Sequence, residues 1–200
     1  MIAVIEYNAG NITSVVNAIN RLGFECITTN NEQEIRNATK VIFPGVGEAS
    51  SAMSYIKQHY LDKIIISLTQ PVLGICLGQQ LMCLHSEEGN TDCMGIFNTQ
   101  VKKFPQTNIV PHMGWNNLQN INGNLLKGIS ENDNVYFVHS YYCEISEFTF
   151  ATCDYILPFS AAMQKDNFYA TQFHPEKSAD VGERILLNFL ELSESSPLLI

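Results

Sequence analysis

The sequence lacks any apolar run of membrane-spanning length. Its longest apolar stretches are interrupted by Ser, Lys, Gln or Gly within a few residues, whereas a spanning helix needs about 20 apolar residues in succession. The chain also opens directly on a strand-like run at Ile2–Ile5 followed by Glu6, without the basic and longer apolar segments of a secretory signal. We therefore expect a cytoplasmic protein with no membrane partner.

Paired cysteines and metal-ligand spacings are absent as well. The six cysteines include no C-x-x-C pair, and the five histidines show no ligand spacing. The sequence thus predicts no disulfide framework and no structural zinc site, and it indicates no metal or organic cofactor. Such cysteine usage is typical of a reducing compartment. The cysteines are Cys26, Cys76, Cys83, Cys93, Cys143 and Cys153.

Basic residues are scarce, because 11 Lys and Arg stand against 20 Asp and Glu and give a formal net charge of -9. A surface of this sign repels a phosphate backbone, so we expect no nucleic acid partner. It could steer a basic face of a protein partner, although solubility is the simpler explanation of the charge.

The length and composition are those of one globular unit. A chain of 200 residues can bury one substantial core but is short for two. Its hydrophobic share of 46% and charged share of 16% exclude disordered and fibrous classes. We expect a single domain over residues 1–200.

Strand-like and helical patterns alternate in the first half of the chain. Apolar strand-like runs lie at Ile2–Ile5, Cys26–Thr29, 41–43 and 71–75, and segments of helical spacing lie at 12–22, 32–37 and 61–68. Apolar strands that alternate with helices predict an α/β fold, in which a parallel sheet is covered by helices on both faces.

The second half, after Gly95, is rich in closely spaced strand-like runs. They lie at 101–104, 135–138, 148–151, 159–163 and 168–173. Short spacing favours antiparallel pairing. An amphipathic helix at 182–192 is expected to pack back on the sheet, and residues 193–200 are expected to fray.

Cys76 has the flanks of a nucleophile on a tight strand-to-helix turn. Gly74 and Gly78 lie two residues before and after it, between an apolar strand and a helix. Glycines allow such a turn to pass close to neighbouring strands while the nucleophile stands clear, and the helix N-terminus favours a thiolate. A small core cysteine in a tightly packed turn would give the same pattern, so the spacing alone leaves both interpretations open.

His174 and Glu176 supply the groups that a cysteine nucleophile needs. They end a strand-like run two residues apart, and residues so spaced on an extended chain point to one side. The carboxylate can orient the imidazole while its other nitrogen faces Cys76. A structural histidine and a solvated carboxylate are plausible singly, but both beside the Cys76 turn favour a catalytic triad.

These segments carry a family resemblance. G-I-C-L-G-Q-Q-L at 74–81 with Q-F-H-P-E-K at 172–177 resembles the class I glutamine amidotransferases, whose flavodoxin-like fold has a mixed, mostly parallel central sheet. Three further stretches make the family resemblance more specific, because they resemble the glutaminase subunit of imidazole glycerol phosphate synthase. They are P-G-V-G at 44–47, P-H-M-G-W-N at 111–116 and F-V-H-S-Y at 137–141.

The resemblance implies a mechanism and a set of site residues. The Cys76 thiolate attacks the carboxamide of glutamine, His174 gives a proton to the departing ammonia, and water hydrolyses the thioester to glutamate. Backbone amides around Val46 and Gly47 and that of Leu77 form the oxyanion hole. By the same resemblance Gln80 holds the amino-acid end of L-glutamine, and position 79 carries Gln79 where the family leads us to expect methionine.

The resemblance also implies a partner. It is a (β/α)8 barrel cyclase that would form a heterodimer with this chain in histidine biosynthesis and receive the ammonia through a channel. The residues that would face the cyclase are Asn11, Met113 and Trp115. Met113 and Trp115 could instead be core residues. Rival hypotheses remain: the same glutaminase serving a sugar-amidine synthase, a noncatalytic regulatory module of this fold, or a cysteine peptidase or thiol-redox protein.

Overall fold

The computed structural model describes residues 1–8 and 12–192. The first part of the chain alternates strands and helices, which are β1 (Ile2–Ile5), α1 (Ile12–Arg21), β2 (Cys26–Thr29), α2 (Glu32–Asn37), β3 (Lys40–Gly45), α3 (Ala49–Gln58), α4 (Leu61–Ile66), β4 (Val72–Cys76) and α5 (Leu77–Leu81). The second part is strand-rich until the last helix, and consists of β5 (His85–Ser86), β6 (Thr91–Asp92), β7 (Gln100–Lys103), β8 (His112–Asn117), β9 (Asn134–His139), β10 (Tyr141–Cys143), β11 (Thr149–Asp154), β12 (Pro158–Lys165), β13 (Phe168–Thr171) and α6 (Ala179–Glu191).

A seven-stranded sheet forms the centre of the molecule, in the order β11-β12-β13-β4-β3-β1-β2. The strands from β13 to β2 are parallel, whereas β11 and β12 add an antiparallel edge. The prediction of a mixed, mostly parallel sheet is therefore confirmed. Two small sheets, β10-β7-β5-β6 and β8-β9, lie beyond it.

Helices cover both faces of this sheet, as the alternating pattern predicts. One face packs against α2, α3 and α4 through side chains such as Ile35, Met53 and Ile65. The opposite face packs against α1 and α6 through Ile19 and Phe189, among others. Strands buried on both faces need apolar residues at successive positions, and β1 is indeed buried throughout.

Several boundaries differ from the sequence patterns. Helix α3 is not predicted, because the three serines and two alanines of its sequence ASSAMSYIKQ leave only a weak apolar stripe. The strand expected at 41–43 continues through Pro44 and Gly45, and the helix expected over 61–68 ends at Ile66. Pro44 is tolerated because β1 pairs with β3 only as far as Ile42, so no ladder bond on that side is lost.

The fraying expected at 193–200 lies outside the described residues. Within the described part of the chain, no helix is long and apolar enough to cross a membrane.

Candidate active site

Cys76 stands on a sharp turn between β4 and α5. Its backbone has φ 52° and ψ −106°, a conformation that non-glycine residues rarely adopt. A side chain on Gly78 would overlap the backbone carbonyl oxygen of Phe43 on the neighbouring strand β3, and a Cβ on Gly74 would lie 3.0 Å from the carbonyl carbon of Gly78. The flanking glycines are therefore required by close backbone approach, as their spacing predicts.

Strand pairing brings His174 to the same edge of the sheet. Strands β4 and β13 are parallel, with Ile75 opposite Thr171, so the chain beyond each strand leaves the sheet side by side. The backbone N–H of His174 donates to the Tyr136 carbonyl at 2.9 Å, and Ser178 Oγ donates to the His174 carbonyl at 2.6 Å. Together these bonds fix the His174 backbone.

His174 and Glu176 form a buried ion pair. His174 Nδ1 lies 2.8 Å from Glu176 Oε1, and the two side chains are 1% and 2% exposed. Burial is the largest influence on the His174 pKa and lowers it, but the charge of the adjacent Cys76 and then the hydrogen-bonded Glu176 together outweigh burial and raise the pKa to about 10. The imidazole is thus protonated at neutral pH.

The Cys76 sulfur has two further neighbours. Val138 O lies 3.9 Å from Sγ as the acceptor for a thiol proton, and Gln172 Nε2 donates to Sγ at 3.7 Å. His174 Nε2 is buried and makes no geometrically acceptable hydrogen bond to any described residue, although Cys76 is close enough to act on its charge. An imidazolium beside a thiolate satisfies both groups.

A cavity of about 310 Å³ opens over the nucleophile, within the size range of small-molecule sites. Its lining includes Val46, Gly47, Cys76, Leu77, Gln80, Glu88 and the segment from Val138 to Tyr141. The sequence motifs predict Val46, Gly47 and Leu77 beside the nucleophile, and all three line this cavity with Cys76. Two larger cavities lie away from Cys76 and His174, so volume does not identify the site.

Gly47 differs from the glycines flanking Cys76. Its φ is +128°, and no atom lies within 4 Å of the position where a Cβ would stand. Backbone conformation rather than space is therefore the reason for glycine here.

Gln80 lies at the cavity, as the resemblance implies, and is only 4% exposed. Both hydrogens of its carboxamide are used inside the protein, since Nε2 donates to Tyr141 O at 2.9 Å and to Gln172 Oε1 at 3.0 Å. Only its oxygen is left for a ligand. Gln79 is fully buried, and its Nε2 donates to Ser160 O at 3.1 Å while its Oε1 lacks a partner among the described residues.

Glu88 and Gln172 are site residues to which the sequence patterns assign no role. Glu88 is the one acidic side chain among the described residues that line the cavity, and burial raises its pKa. Its carboxylate accepts a hydrogen bond from the Ala49 N–H at 2.9 Å, which holds it in place. A glutamate in the polar stretch around Asn90 gives no sequence signal, because only the fold carries it to the cavity.

The expected partner face is exposed in part. Met113 and Trp115 lie two residues apart on one face of β8 and are 63% and 55% exposed, so the alternative of core residues is wrong for both. Ile109, in the preceding loop, is 76% exposed. Asn11 lies outside the described residues.

Two histidines of the resemblance motifs form a buried pair. His112 Nδ1 lies 3.0 Å from His139 Nε2, and His139 Nδ1 donates to Tyr141 O at 2.7 Å. Burial lowers the pKa of His112 to about 4 and that of His139 to about 3, so both rings are neutral. Among the described residues no group of His, Cys, Asp and Glu could hold a metal ion.

Comparison with known proteins agrees with this geometry. The family model described as glutamine amidotransferase class-I matches residues 3–192. The imidazole glycerol phosphate synthase subunit HisH of Bacteroides fragilis (strain YCH46) is 59% identical over 194 residues, which are 96% of this chain and 99% of that one. The subunit of the same name from Bacteroides thetaiotaomicron is 57% identical over the same shares of the two chains.

Solved structures agree on the fold. A putative GMP synthase protein from Thermoplasma acidophilum matches with a TM-score of 0.74 at 20% identity, covering 95% of this chain and 92% of that one. The α/β fold class is therefore confirmed. From its family match and its curated relatives, this chain belongs to the class-I glutamine amidotransferases, in the group of the imidazole glycerol phosphate synthase subunits HisH.

Proposed function

We propose that this glutamine amidotransferase is the glutaminase subunit of an imidazole glycerol phosphate synthase in histidine biosynthesis, and that it works as a single cytoplasmic domain over residues 1–200. It hydrolyses L-glutamine to glutamate and ammonia. The observation that carries this proposal is the meeting of Cys76 with the buried His174 and Glu176 pair at a cavity of small-molecule size.

Acylation follows from the charge state of the triad. The thiolate of Cys76 forms a bond to the carboxamide carbon of glutamine, and the negative oxygen of the tetrahedral intermediate accepts hydrogen bonds from backbone amides. The protonated His174 then gives its proton to the amine as the carbon–nitrogen bond breaks, and ammonia leaves. Glu176 stabilises the imidazolium until that transfer.

Deacylation uses the same histidine in its neutral form. His174 takes a proton from water, the hydroxide attacks the thioester, and the carbon–sulfur bond breaks to return the thiolate and release glutamate. No external oxidant, reductant or cofactor is needed for this balance.

The oxyanion hole is proposed at the backbone amides of Val46, Gly47 and Leu77. Leu77 begins α5 directly after the nucleophile and lines the cavity, so its N–H needs no partner within the helix and is available to the oxyanion. The unusual φ of Gly47 supports a peptide that can reorient, which would keep hydrolysis slow until the partner is loaded.

Substrate binding is proposed at the far side of the cavity. The Glu88 carboxylate complements the α-amino group of glutamine, and the Gln80 oxygen is the remaining hydrogen-bond acceptor nearby. The two together would hold the amino-acid end while the carboxamide reaches Cys76.

The partner is proposed to be a (β/α)8 barrel cyclase, bound as a heterodimer at the face that carries Met113 and Trp115. Large exposed apolar side chains on one strand face are typical of interface anchors. Docking there would deliver ammonia without release into water.

The test is glutamate release from glutamine, measured for the chain alone and with the barrel cyclase of the same organism plus its ribotide ligand. We expect strong activation by the loaded cyclase and no activity in Cys76→Ala. Activity that the cyclase leaves unchanged would contradict the acceptor assignment and favour another synthase, such as a sugar-amidine synthase. A lack of activity in every condition would favour a noncatalytic module.

A further inference from the structure

We infer that Gln172 is a further catalytic residue of this reaction, which donates a hydrogen bond to the Cys76 thiolate and holds it ready for attack. The inference deepens the proposed function and rests on it. The carboxamide of Gln172 is fully buried between Gln80 and Cys76, where Oε1 accepts from Gln80 Nε2 at 3.0 Å and Nε2 donates to Sγ at 3.7 Å.

The orientation of this carboxamide is fixed by its neighbours. The carbonyl oxygen of Tyr141 can only accept, so the carboxamide of Gln80, 2.9 Å away, must direct its NH2 group toward it. The second hydrogen of that NH2 group then faces Gln172 and requires its oxygen. The NH2 group of Gln172 is therefore left facing the sulfur, and the reverse orientation would bring two donors together.

The Tyr141 carbonyl oxygen, which orients the Gln80 carboxamide, is itself held by a second donor. Tyr141 O also accepts from His139 Nδ1 at 2.7 Å, and this fixes His139 Nε2 as the acceptor for His112 Nδ1 at 3.0 Å. Both histidines are buried in the β8-β9 ribbon, so the Tyr141 carbonyl cannot turn away from Gln80 without losing the hydrogen bond from His139. The direction of every donor from His112 to Cys76 is thus determined.

The arrangement favours the charged form of the sulfur. The hydrogen bond that the structure shows for a thiol proton runs to Val138 O at 3.9 Å and is long. The thiolate, in contrast, receives the Gln172 NH2 group, and hydrogen bonds to charged groups are about twice as strong as neutral ones. The same donor stabilises the thiolate when it leaves the thioester during deacylation.

The experiment measures the rate at which iodoacetamide alkylates Cys76 in the full chain, as a function of pH. Gln172→Met keeps the side-chain volume and removes the donor, and we expect the midpoint of its pH profile to rise by about one unit, with approximately tenfold slower alkylation at pH values below the wild-type midpoint. With glutamine, the same variant should lose kcat about tenfold, because the thiolate that attacks the carboxamide has lost its donor.

Gln79→Met is the matched control, since it replaces an equally buried carboxamide that touches Ser160 O and not the sulfur. Its midpoint should equal that of the wild type. Equal midpoints for Gln172→Met and Gln79→Met would overturn the inference, as would equal upward shifts, which would indicate general loosening of the core.

A second measurement covers the case in which Gln172→Met does not fold. In the 15N-labelled wild-type chain, one glutamine side-chain NH2 signal should titrate with the alkylation midpoint and lose that titration after Cys76 is alkylated. Constant signals for all glutamines would overturn the inference. Alkylation requires neither cyclase nor glutamine turnover, so a failure of the glutaminase assay alone would contradict the proposed function and leave this result independent.

Discussion

The close approach at Gly78 makes a quantitative prediction for Gly78→Ala. Gly78 lies within α5, where alanine has the better helix propensity by about 1 kcal/mol, so helix preference alone predicts stabilisation. The structure predicts the opposite sign. The new methyl group would overlap the carbonyl oxygen of Phe43, a backbone atom of a central strand that cannot rotate away.

Relief of this overlap requires α5 and β3 to separate by about 1 Å, and overpacking of that kind costs about 1–3 kcal/mol or more. After the helix term is subtracted, we expect Gly78→Ala to lower the free energy of unfolding by about 1 kcal/mol, or the melting temperature by roughly 2–4 °C for a chain of this length. Because α5 carries Leu77 and β3 leads to Gly47, the same shift should lower kcat by about 10²-fold.

Urea unfolding followed by circular dichroism gives the first quantity, and glutamate release with the loaded cyclase gives the second. Gly23→Ala is the control, since Gly23 has φ +84° with open space around it and lies far along the chain from the site. It should cost about 1 kcal/mol of backbone strain and leave kcat unchanged. A Gly78→Ala chain with wild-type stability and activity would refute the steric argument.

Three further changes test other parts of the site. Glu176→Gln should lower kcat by about 10²–10⁴-fold with little change in KM, because the amide can donate to His174 Nδ1 and select the wrong tautomer. A kcat equal to that of the wild type would contradict the triad. The buried His112–His139 pair stays neutral in the folded protein, whereas histidines of the unfolded chain take up protons below a pKa near 6.5, so the free energy of unfolding should fall from pH 6.5 toward 4. In urea unfolding, His112→Gln should remove about 2 kcal/mol of the loss between pH 7.5 and 5. An unchanged pH slope would contradict the lowered pKa values. Trp115→Ala should weaken cyclase binding by about 30-fold in calorimetry without altering stability, because the side chain is 55% exposed; equal affinity would exclude this face as the interface.

The central sheet could be predicted because its strands are buried on both faces. Runs such as Ile2–Ile5 must then be apolar at every position, which is a strong local signal. Strand β8 escaped the same reasoning, since its sequence HMGWNN contains glycine and asparagines and depends on pairing with β9 for its conformation. Local propensity cannot report a pairing that forms only in the folded chain.

The site divides in the same way. The flanking glycines identify Cys76 in the sequence, and the two-residue spacing identifies His174 and Glu176. Glu88 has no such mark, and Gln172 lies in the Q-F-H-P-E-K stretch without a signal of its role. Gln172 meets Cys76 only because β13 adds beside β4 across a separation of 96 residues, and that topology is set by the whole core rather than by either segment.

The strained backbone of Cys76 has a consequence for the evolution of the chain. A residue held at φ 52° and ψ −106° costs on the order of 1–3 kcal/mol, which folding elsewhere must offset. Cys76→Gly would relax the turn and should yield a chain more stable than Cys76→Ala, yet equally inert. Selection for heat tolerance and selection for turnover thus act in opposite directions on one residue, and a lineage released from the need for ammonia would drift toward glycine there.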